Sequence, residues 1–304
     1  MVISKEAKRM NPAHIDHQQI LAFLSVAQTG SFSAAAQQLH LTQPAVSKRV
    51  AQLESQVGAP LFERLARQVV LTEFGAQFLP AAQQVRQAMD DLAAVTLDSS
   101  RPLSGRLAIA LSHYVGLHLL PSVLETFSRR YPDVVLDLRF MDSEAAIDAV
   151  AQGSVRLAYG TLGHSAPSTV ETTPLWQEKL VLLVALRHTE QHTPSLHELA
   201  QHLPVIAPAA HTSTRQAIDI WLNALQIAPL AVIEVNQLDS IALLVGTGIG
   251  WGVLPETLQN PDLARLPDTK LAPPERQLGL ITQKKRPTHR LAQAFMDCVT
   301  ESRP

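Results

Sequence analysis

The chain has 304 residues, 46% of them hydrophobic and 17% charged, with a formal net charge of −2. At roughly 150 residues per domain the length predicts about two domains, and the composition excludes a disordered or low-complexity protein. No apolar run approaches the ~20 residues that span a bilayer, and MVISKEAKRMNPAHID has neither an apolar core nor a small-residue cleavage site. The expectation is a cytoplasmic protein with no membrane partner. A single cysteine, Cys298, excludes an intrachain disulfide and a Cys-rich zinc site. Charge is uneven along the chain: residues 1–70 carry seven basic and four acidic residues, so a slightly basic head precedes an acidic body.

In chain order, Ile20 to Ala27 reads as a short helix stopped at Thr29-Gly30. Ser31 or Ser33 caps a second helix, FSAAAQQL. Thr42 caps a third, QPAVSKRVAQLESQVG, with Pro44 in its first turn, where a missing N–H costs little. Val46, Val50, Leu53 and Val57 form one helical stripe on that third helix, and Gly58 ends it. RLARQVVLT follows as a small hairpin. Thr72 caps a longer helix, about Glu73 to Asp98, on which Phe78, Ala82, Val85, Met89 and Leu92 make a heptad-like seam. A polar helix ~40 Å long with one apolar stripe predicts burial against a second copy of itself, and Pro80 predicts a kink or the effective first turn.

SSRPLSG (99–105) has linker composition. Beyond it strands and helices alternate. Strands are predicted at 106–112, 134–140, VRLAYG, 179–186, PVIA, 231–235, GWGVLP and 277–282. Helices are predicted at LLPSVLETFSRRYP, SEAAIDAVAQG, 214–225, 237–247 and 288–301. This βαβ rhythm predicts parallel sheets covered by helices, in two small α/β lobes.

Three short helices followed by a hairpin describe a winged helix-turn-helix. Opposite the apolar stripe of its third helix stand Gln43, Ser47, Lys48 and Gln52, with Pro44 at the tip. A helix fits the DNA major groove with its N-terminal residues at the base edges. Gln43 suits adenine, Ser47 a base or phosphate, and Lys48 and Arg49 phosphate or guanine. Ser31 and Ser33 suit a backbone phosphate, and Arg64 and Arg67 on the wing suit an adjacent minor groove. On an arbitrary helix the same residues would read as a solvated face.

The run GSFSAAAQQLHLTQPAVSKRVAQLESQVGAPLFERLARQVVLTEFG resembles the N-terminal signature of LysR-type transcriptional regulators. The resemblance is carried by Gly30-Ser31-Phe32, Ala35-Ala36, Gln43-Pro44-Ala45-Val46-Ser47, Leu53-Glu54, Gly58, Leu61-Phe62, Arg64, Leu71-Thr72 and Gly75. LLPSVLETFSRRYPDVVLDLRF and IALLVGTGIGWGVLP are similar to segments of that family's effector domain. The resemblance implies an N-terminal extension (1–14), a DNA-binding head (15–72), a dimerising linker helix (73–99), a hinge (100–106) and an effector domain (107–304). That last domain would be like a type 2 periplasmic binding protein, with lobe one at 107–174 plus 281–304 and lobe two at 175–280. It further implies double-stranded promoter DNA, a small-molecule effector, self-association as a dimer of dimers and RNA polymerase as partners, with no cofactor and no catalysis.

Strands ending at Ser112, Phe140 and Gly160 predict a ligand site at their carboxyl ends. The expected effector residues are Ser112, His113, Ser143, Thr161, the run His211-Thr212-Ser213-Thr214, and Asn236. Three hydroxyls before a helix look like a carboxylate cradle and predict a small anionic metabolite. Ordinary capping by Ser or Thr is the plainer reading of each hydroxyl. Arg156 stands where the family commonly has an Asp. Gly246 to Gly252 follows a helix rather than a strand, the wrong order for a dinucleotide loop. His188 and His192 share a polar loop with no helix to hold a metal. An enzyme with a localising head and a solute-binding transport protein are the rival readings. Against them stand the absence of a catalytic constellation, the absence of a signal peptide, and the added head.

Overall fold

The computed structural model describes residues 15–65, 68–96, 102–163, 166–267, 269–284 and 289–302. The chain divides into two compact units, formed chiefly by residues 1–101 and 102–304. The expected N-terminal extension, Arg67 and the first three residues of the SSRPLSG linker (99–101) lie outside the described residues.

The first unit opens with helix α1 (His17–Thr29), earlier than the apolar pattern predicts. Asp16 makes a capping box: its carboxylate accepts from Gln18 N, and the Gln19 side chain accepts from Asp16 N. Two otherwise orphaned donors are thereby satisfied. Gly30 ends α1 with a left-handed φ of 63°. Helix α2 (Phe32–Gln38) is capped by Ser31 Oγ, which accepts from Ala34 N. Helix α3 (Gln43–Val57) starts after Thr42, whose backbone takes the N-cap conformation without a side-chain cap bond. Strands β1 (Phe62–Leu65) and β2 (Gln68–Leu71) form the antiparallel wing.

One small core binds these pieces. Phe23 of α1, Phe32 of α2 and the stripe Val46, Val50, Leu53 and Val57 of α3 are all buried in it, with Leu61 and Phe62 of the wing. The Phe23 ring lies 5.4 Å from both Phe62 and Phe78. Phe78 belongs to α4 (Glu73–Thr96), the long helix. Pro80 is accommodated inside it. Thr72 Oγ1 accepts from Gly75 N at 2.9 Å and donates to the Pro60 carbonyl at 2.7 Å, tying the start of α4 to the wing base.

That attachment revises the seam. Ala82 is 1% exposed and Phe78 packs on the head core, whereas Val85 (46%), Met89 (38%) and Leu92 (60%) are open. The first two seam residues are taken up by the chain's own core because α4 leaves the wing directly across Phe23. Only the last three present apolar surface outward.

The second unit contains β3 (Gly105–Ser112), a π-type turn (Val115–Leu119), α5 (Pro121–Arg130), β4 (Val134–Met141), α6 (Ser143–Ala151) and β5 (Leu157–Thr161). Then come β6 (Val170–Ala185), α7 (Leu196–His202), β7 (Val205–Ala207), α8 (Ser213–Ala224), β8 (Val232–Glu234) and α9 (Leu238–Gly246). The chain closes with β9 (Gly252–Pro255), β10 (Leu263–Arg265), β11 (Glu275–Gln283) and α10 (Arg290–Glu301). The lobes are not each built on a parallel sheet of their own; only β7 and β8 form a separate, two-stranded parallel sheet. One seven-stranded mixed sheet runs β10-β6-β11-β5-β3-β4, with β9 on β6. β3 pairs parallel to β4 and β5, while β11 pairs antiparallel to β5 and β6. The strand expected at 179–186 begins at Val170 instead. Its first half alternates half-exposed positions against β11, and its second half, Leu180–Ala185, is wholly buried between β9 and β10. The continuous apolar half is visible as a periodic run, but the mixed half is not. The short α7 and β10 also escaped the sequence pattern.

Gly75 is required by close approach. A Cβ there would sit 2.1 Å from the Leu61 carbonyl oxygen. Gly75→Ala is expected to cost about 2 kcal/mol or more through displacement of α4 from the wing. Urea unfolding of the chain, followed by far-ultraviolet circular dichroism, would measure the loss; an unchanged midpoint would refute the packing argument.

Candidate functional site

Two sites have to be assembled, one in each unit. In the head, α3 buries its valine stripe and leaves Gln43, Pro44, Lys48 and Gln52 exposed on the other side, with Ser47 half-buried between. The helix is amphipathic in the sense that groove reading requires: one face is consumed by the core and the other carries donors, acceptors and charge. Ser33 is exposed at the start of α2, and Ser31 is half-buried with its hydroxyl engaged as the cap. Arg49 turns toward α1, where its Nη2 donates to Gln18 Oε1 at 2.6 Å. Arg49 thus braces α3 on α1 as well as adding charge. The Arg64 side chain and Arg67 lie outside the described residues.

Glu54, matched by the motif but assigned no task from sequence, anchors the wing. Its Oε1 accepts from Leu61 N at 2.7 Å and Phe62 N at 3.3 Å. A carboxylate accepting two backbone donors is a strong tether, so the wing is set relative to α3 by one side chain.

In the second unit, the carboxyl ends of β3, β4 and β5 open on a cleft of about 480 Å³, counting its part open to solvent. Ser112, His113, Ser143, Thr161, Thr212, Thr214 and Asn236, all expected from sequence, line it. Ser143 Oγ accepts from Thr161 N at 2.8 Å, joining α6 to β5. Gly160 permits that approach, since a Cβ there would fall 2.8 Å from Ser143 Oγ. Ser112 Oγ accepts from Val115 N, shaping the turn after β3.

His211 does not join them. It is exposed outside the lining, and its carbonyl accepts from Gln216 Nε2. It precedes the N-cap Thr212 and turns outward because the cap needs the chain extended there. Ser213 begins α8, yet it presents no empty cradle. Its N–H and Oγ both donate to Glu144 Oε1, at 2.8 and 2.9 Å. The protein's own carboxylate therefore occupies the helix end expected to hold an anion. Thr212 Oγ1 is similarly occupied: it caps Arg215 N and donates to the Ala209 carbonyl.

Sequence reasoning missed Tyr114, Asp142, Glu144 and Arg276, which also line the cleft. Asp142 and Glu144 flank the predicted Ser143, so their proximity was legible; their orientation was not. Arg276 is 95% buried, hence invisible to any rule about exposed charge. Its Nε and Nη2 donate to Glu178 Oε2 at 3.0 and 2.8 Å, and its guanidinium lies 4.2 Å from the Tyr114 ring centroid. The Tyr114 hydroxyl meets Glu178 and, at 2.6 Å, Thr257 Oγ1. Further bridges cross from lobe one to lobe two: Asn236 Nδ2 donates to Asp142 Oδ2 at 3.4 Å, and His118 Nε2 lies 2.8 Å from Asp239 Oδ1. Among the described residues no cluster of three or more His, Cys, Asp or Glu could hold a metal.

Residues 17–76 match the bacterial regulatory helix-turn-helix protein of the lysR family, and residues 100–304 match the LysR substrate binding domain. The chain belongs to the LysR family of transcriptional regulators. IlvY of Haemophilus influenzae, an HTH-type transcriptional activator, is 30% identical over 282 residues, spanning 90% of this chain and 96% of IlvY. CmpR of Synechocystis sp., another activator, is 28% identical across 92% of this chain and 93% of its own length. Full-length OxyR from Pseudomonas aeruginosa superposes with a TM-score of 0.72 at 22% identity, covering 94% of this chain and 95% of OxyR. CbnR in complex with its target DNA gives 0.64 at 21% identity, covering 95% and 100%. At such identity the last two speak to fold alone. The family carries a DNA-binding head and an effector-binding domain, and the two sites above fall one in each. No helix among the described residues is long and apolar enough to cross a membrane.

Burial, followed by the hydrogen bond to Glu178, pushes the Tyr114 phenol up from 10.0 to about 12. Its folded value lies above the unfolded one, so the stabilisation is whole below pH 10 and disappears as pH rises through about 12. Near-ultraviolet titration of the chain should show a late tyrosinate step that loses one tyrosine in Tyr114→Phe. Ionisation of all tyrosines near the ordinary value would refute the assignment.

Proposed function

We propose that this chain is a sequence-reading transcription regulator, without catalysis, whose grip on promoter DNA is controlled by a small molecule bound between the lobes of its second unit. The observation that carries the reading is the division of α3. A buried valine stripe faces the head core, while Gln43, Ser47 and Lys48 stand on the other face, in a chain whose second unit holds a polar cleft. Gln43 and Ser47 read base edges, Ser31, Ser33, Lys48 and Arg49 meet the phosphates, and Arg64 and Arg67 of the wing enter a neighbouring minor groove. Val85, Met89 and Leu92 pair α4 with a second copy, and two such pairs make a dimer of dimers. The regulator works in the cytoplasm and acts on RNA polymerase at the promoter.

Fluorescence anisotropy on DNA from upstream of the chain's own gene, against a base-scrambled duplex, tests the reading. A specificity ratio of ~10³ or more is expected at near-physiological salt. Gln43→Ala or Ser47→Ala should cost about 1–3 kcal/mol on the specific duplex and little on the scrambled one. Lys48→Ala should weaken both and reduce the salt slope by about one. Equal losses on both duplexes for Gln43→Ala would count against base readout. Leu92→Glu should lower the oligomeric mass in sedimentation without altering the circular dichroism spectrum, and an unchanged mass would remove α4 from the interface.

A further inference from the structure

We infer that the cleft takes a small molecule carrying a protonated amine, held by Asp142 and Glu144. This rests on the reading of the cleft as the effector site and specifies what enters it. Asp142 occupies the N-cap of α6, since its carbonyl accepts from Ala146 N. An Asp there ordinarily turns its carboxylate back onto its own helix. This one instead faces the cleft and meets Asn236. Glu144, in the first turn of the same helix, also turns away and crosses to Ser213. Among the described residues neither carboxylate has a cationic partner. Arg276 lines the same cleft, but its Nε and Nη2 donate to Glu178, whose charge offsets its own. The wall is therefore net negative.

An anion entering here meets two like charges and finds the α8 helix end already filled by Glu144. An ammonium group meets two carboxylates that lack a counter-charge. An independent observation marks the cleft as a place of binding. Thr161 and Thr214, each only 7% exposed, line it with hydroxyls that have no hydrogen-bond partner among the described residues. These hydroxyls open onto the cleft, where a ligand can reach them. They can bond the ligand's nitrogen or its remaining polar atoms.

The test is calorimetric titration and thermal unfolding of the full chain with three sets of probes. The amines are the protein amino acids, ornithine and the aliphatic diamines. The anions are succinate, citrate and phosphate, and the metal is magnesium. We expect one or more amines to bind, and Asp142→Asn and Glu144→Gln each to weaken that binding at least about tenfold. The Gln variant keeps an acceptor for Ser213, and retained promoter binding shows that each variant is folded. Amine binding unchanged in both variants would overturn the inference. Binding of an anion or magnesium with the amines silent would overturn it while leaving the effector cleft intact. No binding by any probe would overturn both the amine and the cleft as an effector site.

Discussion

The second unit depends on a single cross-strand pair. β6 and β11 are the strands that both lobes share, and at their crossing Arg276 stands directly opposite Glu178. The ion pair is almost wholly buried, with side chains 4% and 12% exposed. Burying two charges is costly unless their geometry is good and their remaining polar atoms are satisfied. Here two nitrogens share one carboxylate oxygen, the Tyr114 hydroxyl engages the other, and the Tyr114 ring lies under the guanidinium. Tyr114 lies two residues beyond β3, whose end lines the cleft, and Thr257 lies two residues beyond β9. One polar knot thus fixes the crossing strands, the turn after β3 and a lobe-two segment together. The cleft has its shape because these four groups meet.

The head solves a different problem with fewer residues. Its core is a ring of small aliphatic and aromatic side chains, and every element contributes to it, including the first turns of α4. Glu54 then sets the wing, Thr72 sets the start of α4, and Arg49 braces α3 on α1. All three are polar side chains spent on positioning. What is left exposed on α3 is a short polar set whose direction is fixed by the packing beneath it.

The cleft carries an electrostatic decision that the fold class does not make. Helix N-termini attract anions, and α8 has one, but it is satisfied internally by Glu144 across the cleft. The same bond holds the two lobes at one closure, with Asp142–Asn236 and His118–Asp239 beside it. A ligand that competes for these carboxylates acts on lobe closure directly, because the groups that recognise it are the groups that bridge the lobes.

Much of this was legible in the residues. The valine stripe of α3, the Ser31 cap, the Gly30 and Gly58 stops and the hairpin follow from local rules of spacing, capping and turn chemistry, and so does the alternation of strands and helices after the linker. These features depend on neighbours within a few positions in the chain. Seven cleft residues were also named from the ends of strands and helices, since topology alone brings such ends together. Tertiary structure decided the rest. It placed Phe78 and Ala82 in the head core, extended β6 back to Val170, turned His211 outward and filled the α8 end with Glu144. It also paired Arg276 with Glu178, 98 positions away. A partner so distant leaves no periodicity to read. Whether a charged or apolar side chain faces water, its own core or another lobe is settled only when the chain has folded back on itself.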